Sequence, residues 1–190
     1  EFRRVLFRSL TVIIGCGATP GTSNMIGKYC YETLDETDSI NIDWLWPGVT
    51  GGGAAALQHG FEMVSGNCMQ FLDGEFKLVP AGTEREAIRS SNGKFDGDVM
   101  YVGHGEPATM PRYLKDINEI TCKGGMLPRE INDFFFHLIG VGLHETEPLR
   151  LLNETELDPA DIAIALLIRK FKDYNPEDAD FGYVLLTAKG

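Results

Sequence analysis

The chain has 190 residues, 43% of them hydrophobic, and a formal net charge of −11 at neutral pH. That length and apolar content suffice for one globular domain with a buried core. The acidic balance, without any basic cluster, argues against nucleic acid and membrane surfaces as partners, and the longest apolar stretch, Ile162 to Ile168, is far too short to span a bilayer.

Residues 1–9 hold three arginines and no Met, and read as a non-native segment to be set aside. An apolar run, Leu10 to Ile14, reads as a strand that empties into Gly15-Cys16-Gly17-Ala18-Thr19-Pro20-Gly21-Thr22-Ser23-Asn24. Thr19 suits a helix cap and Pro20 the first helical position, so this helix start is a natural place for an anionic group. Gly15, Gly17 and the later Asp43 approach a dinucleotide fingerprint, but Pro20 stands where its third glycine belongs.

Met25, Ile26, Tyr29, Cys30 and Leu34 then fall on one helical face. Ser39 to Trp46 alternates as a strand with Ile40, Ile42 and Trp44 on one side, and Gly51-Gly52-Gly53 opens a helix over Ala54 to Val64. Asp73-Gly74 is a two-residue hairpin signal between Cys68–Leu72 and Glu75–Val79. Asn92-Gly93 gives a second hairpin, between Ala87–Ser90 and Lys94–Phe95, followed by a strand at Gly97–Val102. Pro128 starts a helix with Ile131, Phe134, Phe135, Leu138 and Ile139 on its face. Asp158-Pro159 starts the last helix, apolar almost all round over Ile162 to Ile168 and so expected to be buried, and Tyr183 to Thr187 forms a strand. The pattern predicts an α+β fold, a largely antiparallel or mixed sheet with helices on one face. Phe71, Phe76 and Phe95 supply apolar positions for the uncovered face, which is expected to self-associate.

The second glycine-bracketed segment is Val102-Gly103-His104-Gly105-Glu106-Pro107-Ala108-Thr109-Met110-Pro111-Arg112. Together with G-x-x-P-G-x-x-N at the front, it resembles the saccharopine dehydrogenase family over roughly residues 11 to 190. The resemblance implies that residues 10–21 end a truncated nucleotide-binding (Rossmann) domain. Residues 22–190 would then be a substrate-binding and dimerisation domain, itself truncated at its C-terminus. It also implies imine chemistry on C–N bonds of amino-acid or polyamine-type adducts, with NADP or NAD held by the parent enzyme and none held by this portion alone. A small amino-acid-like substrate and a homodimer follow from the same resemblance, whereas a cytoplasmic location is read from the unpaired cysteines. A non-catalytic binding or assembly module on the same fold is the alternative.

His104 sits in a loop after a strand and can shuttle protons near neutral pH, or it can simply brace the turn. Glu106 lines the same loop and can pair with Arg112, which otherwise suits a substrate carboxylate. Gly17, Pro20 and Gly21 allow close approach of a nicotinamide ring or substrate, with Asn24 one turn on as a hydrogen-bonding group. Arg85 is a further candidate for an acid group, and Trp44, Trp46 and Pro47 can wall a cleft or pack in the core. Cys16, Cys30, Cys68 and Cys122 have no C-x-x-C spacing and read as reduced thiols. His104-Gly105-Glu106 lacks the P-C-x-x-C partner of a zinc deaminase, and His137 and His144 lie too far apart for H-E-x-x-H, so no metal site is expected.

Overall fold

Two parallel strands, β1 (Ser39–Pro47) and β6 (Glu119–Leu127), form the centre of a seven-stranded mixed sheet in a computed structural model that describes residues 13–47, 54–90, 93, 95–174 and 182–190. Ser39 pairs with Glu119 and the register runs unbroken to Pro47 and Leu127. β9 (Tyr183–Lys189) closes the outer edge of β1 antiparallel. The remaining pairs are antiparallel: β2 (Asn67–Leu72) with β3 (Glu75–Pro80), and β4 (Glu86–Arg89) with β5 (Asp96–Tyr101). A separate ribbon joins β7 (Leu149–Arg150) to β8 (Glu156–Leu157). The fold is α+β.

The free edge of β6 is shared. β2 meets it at Ile120 through Phe71, and β5 meets it further on, at Lys123 and Gly124. The chain leaves β5 at this split, and Gln70 fills the gap in the ladder. Its side-chain oxygen accepts from Cys122 N at 2.8 Å, and its amide nitrogen donates to Val102 O at 3.2 Å and Cys122 O at 3.4 Å. A fully buried amide thus stands in for a missing strand.

The helices are α1 (Thr22–Thr33), α2 (Ala54–Met63), the single turn α3 (Glu106–Thr109), α4 (Arg129–Gly140) and α5 (Pro159–Phe171). One cluster joins Ile40, Ile42, Ile120 and Cys122 of the sheet to Phe61, Met110, Ile131, Phe135 and Leu167. The other face carries a smaller cluster, Leu45, Ile88 and Val99, with Phe95 and Leu127 against it and no helical residue in it. Asp73 and Gly74 both take positive φ, 54° and 76°, as the two-residue hairpin requires.

Several expectations are corrected. Ile13 and Ile14 form no strand and are 75% and 88% exposed, while residues 1–12 lie outside the described residues, as do Gly51 to Gly53 and Asn92. The second hairpin pairs β4 with β5 itself, and Lys94 lies outside the described residues. The apolar stripe of α1 points outward, with Met25 67% and Tyr29 70% exposed, and the inward residues are Ser23 and Gly27. A side chain at Gly27 would meet Met110 Cε at 2.7 Å, so the small residue lets the helix approach. On α5 only one side is covered: Ala163, Ile164 and Leu167 are buried, whereas Leu166 and Ile168 are not. Phe71 belongs to the helix-side core with Phe76 edge-on at 5.2 Å, and the centre of the opposite face is polar, with Asn41 paired to Thr121 and Lys123 to Glu86.

Candidate functional site

His104 lies in the loop that leaves β5 at the split in the sheet, and Glu106 opens α3 two residues later. Gly103 N donates to Met63 O at 2.8 Å, which ties the start of this loop to the end of α2. His104 Nδ1 faces Glu106 Oε2 at 2.5 Å, and the imidazole packs against Trp44 with ring centroids 5.8 Å apart. Because a carboxylate only accepts, the contact fixes the hydrogen on Nδ1 and leaves Nε2 as the exchanging nitrogen.

Glu106 is fully buried, and its other oxygen receives two hydroxyls. Ser23 Oγ donates to Oε1 at 2.6 Å, and Thr19 Oγ1 donates to the same atom. Burial pushes the carboxyl pKa up. The hydrogen bond and charge of His104, with the two hydroxyls, outweigh that and hold it below the usual carboxylate range. An ionised carboxylate therefore sits inside the protein, bound to residues more than 80 positions apart in sequence. Thr19 was expected to cap α1; it reaches across to Glu106, and Gly21 precedes the helix instead.

Gly17, Pro20, Gly21 and Asn24 come together with Gly105, Thr109 and Tyr113 around one open groove of about 600 Å³. Gly21 has a φ of +131°, and a Cβ there would lie 2.5 Å from Gly17 O, so only glycine fits this turn. Four amides of the turn expected to cradle an anion are bonded internally instead. Gly17 N donates to Pro20 O, Gly21 N to Asn24 Oδ1, Thr22 N to Gly17 O and Ser23 N to Ala18 O. Asn24 Nδ2 donates to Thr109 Oγ1 and Tyr113 OH, each at 3.0 Å, which fastens α1 to the 105–113 segment.

Arg112 makes no pair with Glu106; its Nε donates to Ala108 O at 3.0 Å. Arg85 is held by Asp98 at 2.5 Å and Asp133 at 3.4 Å, with its guanidinium 4.0 Å above the Phe136 ring. Asp43 stands on the sheet face opposite the helices, beside Lys123 in register. It is 7% exposed, and burial first, then the charge of Glu86, push its carboxyl up to about 6 against the pull of Lys123. Trp44 and Trp46 wall an apolar cavity of about 140 Å³ with Met63, Val102, Gly124 and Phe135.

Sequence reasoning missed Ser23, Gln70 and Cys122 as parts of this centre. Cys122 Sγ lies within 4.8 Å of donor atoms on His104 and Glu106, the one such three-residue cluster among the described residues. Burial, and then the Glu106 charge, push the Cys122 thiol well above its ordinary range, so it is a protonated thiol beside the pair. All four cysteines are free. Among the described residues no helix is long and apolar enough to cross a membrane. No protein-family model matches the sequence, and no curated protein matches it.

Proposed function

We propose that this chain is the substrate-binding and dimerisation part of a nicotinamide-dependent oxidoreductase acting on C–N bonds of amino-acid- or polyamine-type imine adducts. That is the chemistry which its resemblance to the saccharopine dehydrogenase family implies. The observation that carries the reading is the pairing of His104 with buried, ionised Glu106, one residue on either side of Gly105 in the groove of Gly17, Pro20, Gly21 and Asn24.

In this reading Glu106 orients the imidazole through Nδ1–H, and Nε2 accepts a proton from the substrate ammonium. The freed amine attacks the carbonyl carbon of the second substrate. The proton on Nε2 is then delivered to the carbinolamine hydroxyl, which leaves as water and gives the protonated imine, the form that accepts a hydride. NADPH or NADH would supply the hydride in such enzymes. The amides of Gly17, Gly21, Thr22 and Ser23 are bonded internally and do not fit a pyrophosphate, so in this reading the nucleotide is held by another part of the parent protein. The same reading makes that parent a cytoplasmic homodimer.

A second reading, a binding or assembly module without turnover, is favoured by one fact. Glu106 spends both oxygens on Thr19, Ser23 and His104, an arrangement that also serves as a clamp between the N-terminal turn and the loop. His104→Ala in the complete polypeptide separates them, assayed as NADPH or NADH oxidation with an amino acid or diamine plus an aldehyde or keto acid. Turnover about 10²–10⁴-fold lower with a nearly unchanged melting temperature supports the enzyme. An unchanged rate, or no rate in either protein, with a lowered melting temperature supports the module.

A further inference from the structure

We propose that the cavity behind Trp44 is a subsite for a compact hydrocarbon group, a six-membered ring or a branched chain of similar size, on the small molecule handled at His104. The link to His104 rests on the functional reading above; the cavity stands on its own geometry. It measures about 140 Å³ and lies between β1, β6, α2 and α4. An apolar cavity of about 150 Å³ is enough to stay dry and take up benzene. Among the described residues its walls are apolar except for the exposed His59, so an ion or a strongly hydrated group would lose its water there without replacement.

The space is built into the backbone. The Trp44 indole packs against Gly124, where a Cβ would come within 2.4 Å of the ring. Gly60 faces the cavity from the middle of α2, and a Cβ there would meet nothing within 4 Å. Alanine is the better helix former and would fit, so packing gives no reason for glycine at that position. Trp44 is at once a wall of the cavity and the neighbour of the His104 ring, at 5.8 Å between centroids. A hydrocarbon group in the cavity and a reacting group at the imidazole would therefore share one indole.

The chain has two tryptophans, and both line the cavity, so their emission reports its occupancy directly. Toluene and cyclohexane should each give a saturable change in tryptophan emission, and the similarly sized cation piperidinium should give none. Gly60→Leu and Met63→Phe fill the space from α2 and should weaken the toluene response at least tenfold, with far-ultraviolet circular dichroism confirming that each variant is folded. In the unsubstituted chain, toluene should also shift the methyl resonances of Met63 and Met126. No saturable response to either hydrocarbon would overturn the proposal. So would an undiminished response in whichever filled variant folds, or an emission change without shifts at those two methyls. The readout needs neither turnover nor a nicotinamide. Hydrocarbon binding together with unchanged turnover in His104→Ala would reject the catalytic reading and keep the cavity; no hydrocarbon binding together with lowered turnover in His104→Ala would reject the cavity and keep the catalytic reading.

Discussion

Glu106 Oε2 and His104 Nδ1 stand 2.5 Å apart, and the carboxylate they share is sealed from solvent by Ser23 and Thr19. Two residues separated by a single glycine would ordinarily find each other in any loop. Here the pair is fixed because the N-terminal turn supplies the remaining hydrogen bonds, so the site forms only when the 17–24 and 103–109 segments dock.

Glu106→Gln should test the electrostatic part of that docking. The amide can still accept from Ser23, but the charge-assisted bond to His104 is lost, and stability should fall by about 2 kcal/mol at neutral pH. The sign with pH follows from the depressed carboxyl. Its contribution is present in full above the unfolded value near 4.5 and disappears as pH falls through the lower folded value. Urea unfolding of both proteins at pH 7 and pH 3.5 should give a larger gap at the first than at the second. An equal gap at both would mean that packing, not charge, holds the carboxylate.

Gly124→Ala should be disruptive out of proportion to one methyl group. Its Cβ would meet three indole atoms of Trp44 between 2.4 and 2.7 Å, on a central strand that cannot shift without breaking register with β1. Overpacking of this kind costs about 1–3 kcal/mol, and displacement of Trp44 should alter tryptophan emission and move the His104 ring resonances. Gly140→Ala is the control, since a Cβ there meets nothing within 4 Å. It should change melting temperature and emission little.

The two-residue hairpin at Asp73-Gly74, the capped start at Asp158-Pro159 and the alternation of Ile40 and Ile42 were readable because each signal is local. Asp158 indeed accepts from Ala160 N at 2.8 Å. Periodicity told that Met25, Ile26 and Tyr29 share a face of α1 but not which way that face turns. The deciding contact is Gly27 against Met110, 83 residues away and invisible to any local pattern. The site divides in the same way. His104 and Glu106 were legible as a pair in a glycine-bracketed loop. Thr19 read as a cap because that is the commonest use of a threonine before a helix, and Ser23 and Gln70 carry no signal until the sheet brings them to their partners. Arg112 was a reasonable mate for Glu106 by spacing alone; the 3₁₀ turn at Met110–Arg112 instead takes its side chain back to the Ala108 carbonyl.

Asp43 gives the sharpest test of the sheet's second face. It sits on β1 opposite Lys123, but the Lys123 ammonium donates to Glu86 at 2.8 Å and lies 5.2 Å over the Tyr101 ring, so it is committed elsewhere. Asp43 keeps a buried carboxyl whose pKa rises from 3.8 to about 6. A raised carboxyl means that the folded protein binds the proton more tightly than the unfolded one, so stability falls as pH climbs from about 4 to 6 and stays lower above that. At about 1.4 kcal/mol per pKa unit the penalty at neutral pH is at most about 3 kcal/mol. Asp43→Asn removes the charge and keeps the shape, so the variant should be more stable than the parent at pH 7.5. The advantage should shrink through pH 5 and vanish near pH 3.5, where the parent is also neutral at this position. This window lies above the one in which Glu106 acts, and its sign is opposite, so urea unfolding across pH 3.5 to 7.5 distinguishes the two carboxyls in one series. An asparagine variant less stable than the parent at pH 7.5 would show that attraction between Asp43 and Lys123 exceeds the cost of burial, and would reverse the assignment.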